Sequence, residues 1–268
     1  MKKIMLYLLI IQMATLNLLA ITLGVVPQQS PFRLMKVWSP IVEYLENETG
    51  EKITLKIERS IEKFEKTLYS GGYDVAYMNP YHYVVAHNKQ GYLAQVRAKK
   101  NLVGILVANK NSDLSSPFNF KNKTFLFPAP NAFAATLLTK YELLKNFNLN
   151  VDKDEKFLYV NSHDSVYKGV ARGIGEVGGG IERTLNNLQD KQTKDSLLVV
   201  YKTQAYPSHP FAFHPSMKDE VKNKFTQSLL RMPTNLLQAL SMKEMIKTDN
   251  AEYEIIRDMA KELLMQED

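Results

Sequence analysis

Cysteine is absent from all 268 residues. Its absence excludes disulfides, thiolate metal sites, cysteine nucleophiles and a lipid-modified cysteine anchor. Tryptophan occurs once, and the twelve glycines are scattered, which excludes collagen-like and low-complexity classes. No repeat of fixed period is present. No basic stripe interleaved with aromatics accompanies the net charge of +6. That charge reads as solvated lysines such as Lys121 and Lys123, and no nucleic-acid partner is expected. The glycine run Gly178, Gly179, Gly180 lacks the strand-loop-helix spacing and the Lys-Ser/Thr of a nucleotide loop. His163, Asp164 and Ser165 are consecutive, so their side chains diverge and cannot form a base-nucleophile relay. His82 and His87 are five apart, as are His209 and His214, and neither pair has the spacing of a helical zinc motif. No metal, no cofactor and no enzymatic activity are expected.

What is there is 45% hydrophobic, enough for one large domain or two smaller lobes with their own cores. The first twenty residues, "MKKIMLYLLIIQMATLNLLA", read as a secretory signal: Lys2 and Lys3, an apolar run, then Ala20 before the cleavage point. Leu18 stands where a small residue is preferred, and the apolar run continues through Val26, about the length of a membrane-spanning helix. An uncleaved tether is therefore the alternative. Against it, "ITLGVVP" is rich in β-branched residues and ends at Pro27, as a first buried strand does. A cysteine-free exported chain suits the periplasm. Removal of Lys2 and Lys3 takes the charge from +6 to +4, because residues 1–20 hold no acid.

Along the chain, Ser30 and Pro31 open a helix with Leu34, Val37, Trp38, Ile41 and Leu45 on one face, and Gly50 ends it. "KITLKIE" alternates as a strand, Ile61, Phe64 and Leu68 mark a second helix, and "YDVAYMNP" is another strand closed by Asn79 and Pro80. Strand, helix, strand, helix, strand implies parallel pairing with right-handed crossovers. In such sheets ligands collect beyond the carboxyl ends of the strands, which places the loops at residues 27–30 and 77–81 at a site. A strand near residues 102–109 leads into a second α/β unit: strand "KTFLFPAP", helix over 131–147, strand "KFLYV", a helix at "DSVYKGVARG" capped by Ser162 or Asp164, and a short strand "EVGGG". "SLLVVYKTQAYP" is a strand returning across the boundary, and helical stretches around 217–231, 234–247 and 251–265 pack back on the first unit. Residues 1–20 are thus a signal peptide, 21–107 with 205–268 one lobe, and 108–204 the other. Two crossings make a hinged cleft.

The segments "LGVVPQQSP", "YLENETGEKITLKI", "GGYDVAYMNPYHY", "SHDSVYKGVARGIGEV" and "VVYKTQAYPSHPFAFHP", in this order and spacing, resemble the periplasmic substrate-binding proteins of phosphate, phosphite and phosphonate ABC importers. The resemblance covers nearly the whole mature chain. It implies an α/β, two-lobe periplasmic-binding-protein fold (type II), with mixed sheets, two crossing strands and a cleft between the lobes. It also implies that phosphonate binders carry a run like Asn-Ser-Thr-Ser-Gly where the second lobe's first helix begins, its hydroxyls and N–H groups holding the oxyanion. Asn131, Ala132, Phe133, Ala134 and Ala135 stand there in this chain, without the hydroxyls. Losing two hydrogen bonds to a charged group costs roughly 1.5–3 kcal/mol each. Phe133 offers an apolar or stacking surface or is a core residue of that helix.

His163 matches the family's ligand-facing histidine, the alternative being a histidine tied into the turn before a helix. Two positions that are acidic in aminophosphonate binders fall near Arg183 and at His209; the change disfavours a cationic amine and suits a more anionic ligand. Arg183 is a bidentate anion grip or a salt-bridge partner of Glu176 or Glu182. Gln28, Tyr77, Asn79 and Tyr81 are the first lobe's contribution, with tyrosine hydroxyls as oxyanion donors. The expected protein is a monomer that closes on a small anion and is read by an ABC permease or a membrane sensor. A ligand-free interaction protein on the same fold is a further alternative.

Overall fold

The computed structural model describes residues 20–114 and 119–264. The expected signal segment up to residue 19 lies outside the described residues, as does residue 265, the expected end of the last helix. Strand β1 (Ile21–Val25) leads to helix α1 (Pro31–Thr49), β2 (Ile53–Ile57), α2 (Ile61–Tyr69) and β3 (Val75–Tyr77). Pro31 opens α1, where a missing N–H costs nothing. Gly50 closes it at φ 72°, donating its N–H to Glu46 O. Leu34, Trp38, Ile41 and Leu45 form the buried stripe, while Val37, expected with them, is only partly buried. The Ser60 hydroxyl accepts the Lys63 N–H to start α2, whose buried face is Ile61, Phe64 and Leu68.

Helix α3 (Pro80–Gln90) and strand β4 (Leu93–Ala98) follow. The hydrophobic pattern gave no sign of either, because α3 is apolar nearly all round its first two turns: His82, Tyr83, Val84 and Ala86 are all buried. The chain crosses at residues 99–101 into β5 (Leu102–Asn109) and β6 (Thr124–Phe127). A π turn (Phe133–Leu137) then runs straight into α4 (Leu138–Phe147). The second unit continues through α5 (Val151–Asp154), β7 (Lys156–Tyr159), α6 (His163–Ala171), β8 (Val177–Ile181), α7 (Glu182–Asn186), α8 (Lys191–Asp195) and β9 (Leu197–Tyr206). Residues 207–209 carry the chain back to β10 (Pro210–Phe213), α9 (Asp219–Leu230), α10 (Thr234–Ala239), β11 (Met245–Lys247) and α11 (Glu254–Leu264). The helix expected over 234–247 is shorter: Ser241 adopts φ 56°, which turns the chain, and residues 245–247 pair antiparallel with β4 instead.

Two sheets result, one of six strands in the order β11-β4-β10-β3-β1-β2 and one of five in the order β7-β6-β8-β5-β9. β1 is parallel to β2 and β3, as helical crossovers require, and β10 lies antiparallel between β3 and β4. In the second sheet β6 is parallel to β7 and β8, whereas β5 is antiparallel to β8 and β9. Because β5 pairs there from Leu102 onward, the chain changes sheet at residues 99–101 and not after residue 107. Both sheets are mixed, and the fold is the two-lobe α/β class. The lobes also touch through apolar side chains, since Phe133, Leu138 and Ile181 of the second belong to the same buried cluster as Trp38, Tyr77 and Phe211 of the first. Among the described residues no helix is long and apolar enough to cross a membrane.

The glycine run has a packing role. A Cβ on Gly179 would overlap the Ala135 carbonyl oxygen, and one on Gly104 would overlap that of Ala134. Only a bare backbone on β5 and β8 lets the π turn lie directly on the sheet, which fixes where its N–H groups point. Gly179→Ala is expected to cost roughly 1–3 kcal/mol by overpacking, read as a lower denaturation midpoint with an unchanged slope. An unchanged midpoint contradicts the close approach.

Candidate functional site

Most of the residues singled out in the sequence come together where strands end and the lobes meet. The Val26 N–H donates to Tyr77 O at 3.0 Å, tying the ends of β1 and β3 and presenting Gln28 and Asn79 from the loops that follow. From the other lobe come the π turn after β6, His163 at the start of α6 and Arg183 just beyond β8. Gln28, Asn79, Ala132, Phe133, His163 and His209 line one hollow of about 10 Å³, with Ala134, Ala135 and Ile181. Space on that scale holds about one water. The lobes are in contact around this hollow, and anything larger than a water fits it only if its walls part.

The hollow is rich in donors that have nothing to donate to. Gln28 Oε1 accepts from Arg183 Nη2 at 2.8 Å, so the other end of that amide is its NH₂ group, which sits 3.1 Å from His209 Nε2. An NH₂ group only donates, so His209 Nε2 accepts and the ring's proton is on Nδ1. That Nδ1 is buried without a partner, and so is Nδ1 of His163. Both rings are 2% exposed. Burial, with the nearby Arg183 charge, lowers the His163 pKa to about 3. The same causes, with His82 and His163 adding, hold His209 well below the usual imidazole range. Both are neutral at pH 7, each with one N–H to offer.

Backbone adds to this set. Ala132, the residue before the π turn, provides no side-chain cap, so the first N–H groups of that continuous helix lack partners within it. They carry the positive end of the helix dipole. The Thr136 hydroxyl is already engaged with Ala129 O at 2.8 Å and cannot stand in for the hydroxyls missing from this turn. Phe133 is buried and meets the Tyr206 ring edge-on at 5.9 Å, so it both lines the hollow and belongs to the core. Ser162, not Asp164, caps α6 by accepting the Ser165 N–H at 3.1 Å.

Arg183 and Tyr77 stand beside the hollow. Arg183 Nη1 donates to Tyr77 Oη at 2.9 Å, and Tyr77 stacks on His209 with centroids 5.4 Å apart. The salt-bridge alternative for Arg183 is not realised: Glu176 pairs with Lys123, and Glu182 with Lys202 and Lys100. Among the described residues Arg183 has no carboxylate partner; its hydrogen bonds go to a phenol and an amide.

Tyr81 and Asn131 are not on the hollow. Pro80 at the first position of α3 sets the helical register so that His82 and Tyr83 turn inward, and Tyr81 lines a separate cavity with Asn131 and Lys140. Asn131 instead bridges the lobes: its carbonyl accepts from Asn79 Nδ2 at 2.9 Å, and its Nδ2 donates to Glu65 Oε2 at 3.3 Å. Glu65 also accepts from His82 Nε2 at 2.9 Å. Nothing in the sequence marked Glu65, a surface-like position on α2 whose partners lie 17 and 66 residues away.

Residues 23–253 match the model of a family described as "ABC transporter, phosphonate, periplasmic substrate-binding protein". The chain belongs to that family. The family is one of substrate-binding transport proteins and not of enzymes, and membership implies a periplasmic location, a small-molecule ligand and a membrane permease as partner. Solved structures share the fold. A binding-protein component of an ABC phosphonate transporter from Pseudomonas aeruginosa is 19% identical with a TM-score of 0.83, the match covering 90% of this chain and 85% of that one. PhnD1 from Prochlorococcus marinus in complex with methylphosphonate is 17% identical with a TM-score of 0.84, over 92% and 99%. This phosphonate-family binding protein thus keeps the scaffold while presenting alanines and a phenylalanine at the π turn.

Proposed function

We propose that this protein is the periplasmic solute-binding component of an ABC uptake system, and that it closes, as a monomer, on a small phosphonate- or phosphate-like oxyanion held in the inter-lobe hollow. The N–H groups at the start of the π turn and the His163 and His209 rings hold the head group, while Asn79, whose side chain is tied to Asn131 O and the His82 N–H, fixes the wall beside them. Arg183 supplies the positive charge beside it. One observation carries this reading: unpartnered donors converge at the seam next to a guanidinium whose own partners are all neutral. Donors without acceptors in a buried space favour an acceptor-rich anion. The complex of the Prochlorococcus relative with methylphosphonate is consistent with it. Delivery is proposed to follow closure, since the closed shape is what a permease reads, and the signal is proposed to be cleaved after Ala20.

A thermal-shift series on the chain from Ile21 onward, with methylphosphonate, phosphate, sulfate and acetate, tests this. An anion at about a hundred times its dissociation constant adds roughly 2.7 kcal/mol. Methylphosphonate or phosphate is expected to raise the melting temperature, and acetate to leave it unmoved. If no tetrahedral anion raises it at millimolar concentration, the fold has kept its shape without the binding function.

A further inference from the structure

Next to the small hollow lies a much larger one of about 640 Å³, and the two share Ile181 and His209 as walls. It sits between the residues of the crossing at 99–101 and the start of α7, with Arg183 and Lys243 also on its surface. A volume of that order is what an organic ligand of moderate size occupies. A head group held at the π turn therefore has space for a substituent on the side of His209.

The charges on this wall are unequal. Lys99, Lys100, Lys243 and Arg183 face two carboxylates, Glu182 and Glu244. Lys99 is paired with Glu244 at 2.9 Å and Lys100 with Glu182 at 3.8 Å. Among the described residues Arg183 and Lys243 have no carboxylate partner, so two cations on this wall remain uncompensated. The buried Nδ1 of His209 has no partner either. Both carboxylates are already engaged by lysines, so a cationic substituent meets no available anion here, while an anionic one meets Arg183 and Lys243.

Resting on the reading of the seam as an oxyanion site, we infer that the physiological ligand is an organophosphonate or phosphate ester whose substituent carries a second anionic group, and that this group lies in the larger hollow against Arg183. Alkylphosphonates fill only the head site. Aminoalkylphosphonates bring the wrong charge.

Calorimetric titration of the chain from Ile21 onward with methylphosphonate, 2-aminoethylphosphonate and 3-phosphonopropionate, in buffer free of phosphate at pH 7.5, tests this. The carboxylated ligand is expected to bind at least about 10-fold tighter than methylphosphonate, and the amine more weakly than methylphosphonate. In Arg183→Gln the carboxylate preference is expected to fall to within about 3-fold, with Arg183→Lys intermediate; thermal melts of both variants show that they are folded. Methylphosphonate binding as tightly as 3-phosphonopropionate overturns the second site and leaves the oxyanion reading standing. A preference that survives in Arg183→Gln overturns the assignment to this hollow. Failure of all three ligands overturns the oxyanion reading and this inference with it.

Discussion

Replacing Arg183 with glutamine is expected to weaken methylphosphonate binding by about 100-fold while leaving the fold intact. An ion pair some 6 Å apart at an effective dielectric near 20 is worth ~3 kcal/mol, and direct charge-assisted hydrogen bonds fall in the same range. Loss of stability is not expected in parallel, because no buried carboxylate is left behind: the guanidinium's partners are the Tyr77 hydroxyl and the Gln28 amide. Glutamine keeps a donor within the same region. Calorimetry and a melting curve on one preparation separate the two effects. A variant that binds normally places the anion elsewhere, and one that melts far below wild type makes Arg183 a structural residue.

The second large effect is with acid. His163 and His209 are neutral in the folded chain because burial and the Arg183 charge oppose protonation. In the unfolded chain each titrates near 6.5. The unfolded state therefore takes up protons that the native state refuses, and stability falls as pH drops below about 6.5 towards the folded values. Well below pH 6.5 and above its folded value near 3, His163 contributes ~1.4 kcal/mol per pH unit. From pH 6.5 to 5 His163, with its folded value near 3, removes roughly 1.7 kcal/mol, His209 adds in the same direction, and the melting temperature falls by several degrees for a chain of this size. Opening of the seam hydrates both rings without unfolding, so the cost of opening caps the loss. Carboxylates held below their ordinary range, such as Glu182 beside Lys202, act only at lower pH, and Asp164, raised by burial, acts in the opposite sense to the histidines. His163→Gln is expected to flatten the profile measurably. A melting temperature that is level from pH 7 to 5 contradicts the burial of both rings.

Much of this was legible in the sequence because it rests on local chemistry. Pro31, Gly50 and the Leu34, Trp38, Ile41, Leu45 stripe specify α1 by themselves, and the alternation of strand and helix specifies the parallel part of each sheet. Gln28, Asn79, His163 and His209 were legible through the loops at strand ends and the family resemblance. Other features depend on contacts that no local pattern encodes. β10 is four residues of "PFAF" and β11 three of "MIK", both too short to show a period, and they exist because β4 offers edges to pair with. Tyr81 stood in an aromatic run from which the inward members could not be chosen without the register that Pro80 sets. Glu65 reads as one more charge on an amphipathic helix, yet it joins His82 to Asn131 across the seam. The role of Gly179 required knowing which carbonyl lies above it.

In the proposed complex the anion sits against two neutral, buried imidazoles, and the five histidines are few enough to follow one by one. Proton–nitrogen correlation spectra of the rings during a methylphosphonate titration at pH 7 test it most directly. Neutral-ring signals for His163 and His209 are expected to shift saturably together, while those of His87 and His214 stay in place. Saturable binding that leaves the His163 and His209 signals unmoved would contradict it.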